Sequence, residues 1–108
     1  MLGGMTDVEL ESLARMWDEH MKVPFPRAAY WSVVEGEDMV LLDTETAGCV
    51  ISTLEGRLDD RLYRILLGCL AALDKVLPFI DDEEAVRYYR HLRDTAAFVA
   101  GTHPAGAA

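Results

Sequence analysis

The sequence predicts an all-α domain, a compact bundle of about four helices over residues 6–22, 39–55, 59–77 and 81–100. Three observations predict it. Apolar residues recur at three- and four-residue steps along four stretches. Each stretch is preceded by a Thr or Asp of the kind that caps a helix start. Pro or Gly closes each of them. With 108 residues, 51% of them hydrophobic, the chain has enough apolar material for one core and too little length for two. It is read as a single helical domain, 1–108, with loose ends at 1–5 and 102–108.

The first helix opens on Thr6-Asp7-Val8-Glu9, a capping box in which the Thr hydroxyl accepts from the Glu9 amide and Glu9 reaches back. Leu10, Leu13, Ala14, Trp17 and Met21 give its apolar stripe, with Glu11–Arg15 and Asp18–Lys22 as i,i+4 pairs opposite, and Pro24 and Pro26 stop it. Arg27–Ser32 is read as either a helical turn or an extended connector, and a loop through Asp38 is preferred, because an isolated two-stranded hairpin is marginal in water. The competing reading is a short hairpin over 33–42 turning at Glu35-Gly36. Asp38 then caps a second helix whose face is Val40, Ala47, Ile51 and Leu54, with Gly56 as the left-handed residue after its end. Asp59 or Asp60 caps the third. Its wide face, from Leu62 through Ile65, Leu66, Cys69, Leu70 and Leu73 to Leu77, marks it as the central helix, and Pro78 ends it. Asp81-Asp82-Glu83-Glu84 opens the fourth, with Ala85, Tyr88, Tyr89, Leu92, Ala96 and Val99 inward and Gly101 at the end. The short connection from Leu77 to Asp81 makes the last two helices an antiparallel pair. Gly48 and Gly68 fall inside helices, where either they are tolerated or they mark a close helix approach.

No stretch carries a specific catalytic motif. Four consecutive acids at 81–84 point in different directions on a helix, so they suit its positive end better than a metal. The Glu-x-x-His pattern of di-metal bundles is missing, and His20, His91 and His103 are read as surface or boundary residues. Ser12, Ser32 and Ser52 lack a nucleophile elbow, and no phosphate-cradling loop or dinucleotide fingerprint occurs. No cofactor and no metal is expected. Cys49 and Cys69 are read as buried thiols acting as small hydrophobes, with a disulfide between neighbouring helices as the main alternative.

Two sets of residues remain as candidates. Arg61, Arg64 and Arg93 form an anion pocket if Arg93 approaches Arg64 across the antiparallel pair. The bland reading is that Asp60–Arg64, Glu83–Arg87 and Arg90–Asp94 already neutralise the arginines. Tyr30, Trp31, Phe79 and Tyr89 are interface-type aromatics; Tyr88 and Tyr89 are adjacent, so one of them belongs at the core edge or in an interface.

Nineteen acidic residues against ten basic ones give a net charge of −9. That works against nucleic acid and against an acidic membrane surface. The apolar runs are too short to span a bilayer, and the first ten residues lack the chemistry of a secretory signal, so the expected setting is cytoplasmic. The expected function is a small non-enzymatic regulatory protein acting through protein–protein contact, as a homodimer or with a protein partner. The alternative is a small helical enzyme or anion-binding domain using Arg64 and Arg93 or a buried Cys.

Overall fold

Four side chains set the four helix starts in the computed structural model, which describes residues 5–103. Thr6 and Glu9 close the capping box at the start of α1 (Asp7–Met21). Asp38 accepts from the Leu41 amide ahead of α2 (Met39–Leu54), Asp59 from Leu62 ahead of α3 (Asp60–Val76), and Asp82 from Ala85 ahead of α4 (Glu83–Thr102). Each satisfies one of the amides that a helix start leaves without a partner. The expected four-helix bundle is the fold. Gly56, at φ 78°, ends α2 as read, with the Arg57 amide bonded back to Ser52 and the Gly56 amide to Thr53.

Several expectations are corrected. The segment before α2 is a hairpin and not a plain loop: β1 (Val33–Val34) pairs antiparallel with β2 (Glu37–Asp38). Glu35 and Gly36 turn it with φ 50° and 83°, both positive, as a two-residue turn of the hairpin hand requires. Marginal alone, it is held by its surroundings: the Met39 amide donates to Ser32 O at 3.1 Å, and Lys75 of α3 reaches Glu37 at 2.7 Å. Helix α4 runs one residue past Gly101, and a 3-10 turn at Leu77–Phe79 carries the chain through Pro78. Of the ends read as loose, Met5 packs against the core, Thr102 is helical, and the ring of His103 stacks on Tyr63 at 3.9 Å. Residues 1–4 and 104–108 lie outside the described residues.

The central helix is α4, not α3. It packs against α1, α2 and α3 and buries Ala85, Tyr88, Tyr89, Leu92, Thr95, Ala96, Val99 and Ala100. The α3 face is narrower than its leucines suggest, with Ile65 and Leu67 left at the surface. On α2 the inward face is Met39, Leu42, Thr46, Cys49, Val50 and Thr53, rotated away from the expected aliphatic set. Thr46 and Thr53 tolerate the core because each hydroxyl donates to the carbonyl one turn back, Leu42 at 2.7 Å and Cys49 at 2.8 Å.

None of the five i,i+4 ion pairs forms among the described residues. Arg15 donates to Ser12 instead, and Asp94 is taken by Arg93. Little stability is lost, since exposed pairs contribute only about 0.2–1 kcal/mol.

Gly68 decides between tolerance and close approach. A Cβ built there meets nothing within 4 Å, and the same holds at Gly48. Gly68→Ala therefore raises unfolding stability by about 1 kcal/mol, the helix-propensity difference, measured by urea denaturation. A loss of stability would restore the close-contact reading.

Candidate functional site

The longest stretch without α-helix, residues 22–38, includes a 3-10 turn at Arg27–Ala29, where a helical turn is one of the readings, and it carries the surface aromatics. Trp31 is 97% exposed and Tyr30 53%. Beside them lies a shallow hollow of about 520 Å³, lined by Tyr30, Trp31, Asp38, Val40, Leu41 and Thr44. Leu41 and Val33 are exposed as well. Trp31 is held with φ 63°, a left-handed conformation that a bulky residue adopts only under constraint. The constraint is visible: the Ser32 amide donates to Ala29 O at 3.1 Å, and Ser32 O accepts from Met39.

Phe79 is also exposed, at the edge of a smaller hollow of about 220 Å³ that it shares with Ser32, Val34 and Met39. Three of the four expected interface aromatics thus border one segment. Tyr89 does not join them at the surface. It is fully buried, and its hydroxyl donates to Met39 O at 2.7 Å. Adjacent Tyr88 is buried too. Neither points outward, because α4 has neighbours on several sides: Tyr88 meets α1 and Asp43 of α2 while Tyr89 lies under the start of α2.

The arginines are not brought together. Arg93 donates to Asp74 at 2.9 Å and to Asp94 at 3.3 Å, and this pairing raises its pKa. The register that sets Asp74 against Arg93 also sets Tyr63 against His103. Arg64 therefore lies near the far end of α4, ten residues or roughly 15 Å along the helix from Asp74. Among the described residues no group of three or more His, Cys, Asp and Glu is placed to hold a metal ion, and no helix is long and apolar enough to cross a membrane.

A histidine pair escaped the sequence reading: His91 is at the boundary as read, but His20 is not. His20 is fully buried, and its Nδ1 lies 3.0 Å from Nδ1 of His91. One ring must therefore present N–H and the other a lone pair. Trp17 and Tyr88 cover the His20 ring, with centroids at 5.3 and 4.5 Å, and its Nε2 has no hydrogen-bond partner. The signal was present: His20 stands three residues after Trp17 and seven after Leu13, on the buried stripe of α1, and His91 three after Tyr88. Burial, then the neighbouring His91, pull the His20 pKa down to about 4. Nearby, burial raises the Asp43 pKa against the opposing hydrogen bond from Tyr88, and burial and Asp43 together raise that of Tyr88.

No protein-family model matches the chain, no curated protein matches it, and no solved structure matches it.

The histidine pair makes the fold acid-sensitive. His20 is neutral in the folded chain down to about pH 4, whereas the unfolded chain takes up that proton near pH 6.5. Between those values the unfolded state binds more protons, so stability falls as pH falls. The loss is on the order of 3 kcal/mol across the window. Asp43 acts in the opposite sense lower in the acid range, since its raised pKa favours the folded state as it protonates. Urea midpoints measured from pH 7 to 4 should decline for the wild type and flatten in His20→Phe. An equal slope in both would remove His20 as the cause.

Proposed function

We propose that the protein works by contact, as a homodimer joined through the surface around Trp31. The observation that carries this reading is Trp31 itself: a 97% exposed indole, fixed at φ 63°, standing beside an apolar hollow. Exposed tryptophan is the side chain most often found as an energetic anchor of an interface. A projecting ring next to a hollow is also self-complementary. Across a two-fold axis each copy's Trp31 can enter the hollow of the other, against Val40 and Leu41.

Charge distinguishes this partner from others. Two copies at −9 repel, so added salt screens the repulsion and favours the dimer. A basic protein docking on the same face would bind less tightly as salt rises. The net charge also works against nucleic acid as the occupant. The hairpin presents the face in one geometry, so little ordering remains to be done on association.

Sedimentation velocity of the wild type and Trp31→Gly, from low to high NaCl, tests the proposal. Glycine takes the left-handed conformation without steric strain, a gain of about 1–2 kcal/mol that its freedom in the unfolded chain offsets by about 0.4–1 kcal/mol, so the variant monomer should be no less stable than the wild type while losing association. The wild type should dimerise more tightly as salt rises. A strict monomer at every salt concentration, or a dimer that persists unchanged in Trp31→Gly, would overturn the proposal.

A further inference from the structure

Three exposed arginines gather where the chain leaves α1 and passes the first turns of α4: Arg27 in the connection, and Arg87 and Arg90 on the helix. Arg57, Lys75 and Arg93 each pair with a carboxylate. Among the described residues, no carboxylate lies within 4 Å of Arg27, Arg87 or Arg90. The three line two hollows. One, of about 280 Å³, lies between the connection 23–27 and the side chains of Glu84 and Arg87. The other, of about 390 Å³, is bounded by Arg87, Arg90, His91 and Asp94. Val23 and Arg87 border both, so the two make one groove along α4. Its opposite wall is apolar, formed by Val23, Pro24 and Phe25. The wall is held in place, since Phe25 packs edge-on against Tyr30 at 4.9 Å and Tyr88 at 5.2 Å.

We infer that this groove is a binding site for a small organic carboxylate, a single negative charge carried on an apolar ring. Arg87 and Arg90 stand three residues apart and so share a side of the helix. A guanidinium fork matches the two oxygens of a carboxylate. Local charge selects the ligand. Glu84 and Asp94 also line the groove, so three positive groups face two negative ones and one charge is left to be met. A monoanion meets it, a phosphate dianion exceeds it, and a metal cation has the wrong sign. The apolar wall then selects against a bare ion, because a ring laid on Val23, Pro24 and Phe25 leaves water as it binds. The net charge of −9 repels anions from a distance, but that repulsion is screened beyond about 8 Å at physiological ionic strength, whereas the arginines act in contact. No residue borders both this groove and the hollow beside Trp31, so the site is independent of the proposed dimer face.

The test adds 2-naphthoate to the purified full chain at about 0.15 M salt, beside acetate, which has the charge without the ring, and 2-naphthol, which has the ring without the charge. Naphthoate should raise the melting temperature, because it binds the folded state, and should shift the amide resonances of residues 23–27 and 84–94. Acetate and 2-naphthol at the same concentration should do much less. Arg87→Ala combined with Arg90→Ala should weaken naphthoate binding about tenfold or more, while Arg61→Ala on α3 should leave it unchanged. All three arginines are exposed, so the variants should keep the wild-type circular dichroism. The wild-type comparison of the three probes stands whatever the variants do. No binding of naphthoate, equal binding of 2-naphthol, tighter binding of 2-naphthyl phosphate, or full affinity without Arg87 and Arg90 would each overturn the proposal.

Discussion

Two adjacent tyrosines on α4 fix how the rest of the chain is arranged. A buried phenol must find an acceptor, since leaving it unpaired costs about 1–3 kcal/mol. Tyr89 finds the carbonyl of Met39, the first residue of α2, and Tyr88 finds Asp43 one turn later. Sliding α2 by a turn along α4 would break both bonds at once. The same rings gather the other elements. Tyr88 touches His20 of α1, and both tyrosines pack edge-on against Phe25 in the connection. Met39 passes the restraint upstream, because its amide holds Ser32 and so the base of the hairpin. One hydrogen-bonded corner therefore positions α1, the connection, the hairpin and α2 on the central helix.

The same corner encloses His20. Trp17 stacks against its ring, Tyr88 tilts against it, and its buried Nε2 has no hydrogen-bond partner. The fold therefore holds the imidazole uncharged, and His91 makes protonation harder still. The bundle accepts this cost in the element that joins α1 to α4, where the apolar contact of Leu13 and Trp17 with the core continues directly into the histidine pair.

The sequence made the local grammar legible and the three-dimensional neighbours less so. Thr6, Asp38, Asp59 and Asp82 announce four helix starts because capping is a contact within three residues, and Gly56 announces an end for the same reason. Which face turns inward is a longer-range matter. On α2 the eye follows Val40 and Ile51, but the face that packs contains Thr46 and Thr53, whose hydroxyls are satisfied by their own helix. A leucine-rich α3 looks central, yet centrality follows from the number of neighbouring elements, which favours α4. Arg64 and Arg93 share an antiparallel pair, but the register across a connection that includes a 3-10 turn and extended residues separates them. The histidine pair spans 71 residues of sequence and has no local signature beyond its place on two apolar stripes.

The backbone strain is concentrated where the function is proposed. Among the described residues, Trp31 and Glu35 are the two without a glycine's freedom that adopt positive φ, and both lie in the segment 31–36. A chain shaped only for its own stability would place Gly or Asn at such positions and a polar side chain at 31. Trp31 cannot relieve the strain by folding inward. Its neighbours Tyr30 and Ser32 are tied to Arg27 and Ala29 through backbone bonds, and Ser32 is tied again to Met39. That last bond leads back to Tyr89 and the corner on α4. A backbone fixed by these bonds presents residue 31 at the surface in one place, so association pays little of the backbone ordering entropy that a free loop would lose. The deepest interaction in the molecule and its most exposed side chain are in this sense one device: the buried tyrosine fixes the geometry that the surface tryptophan presents.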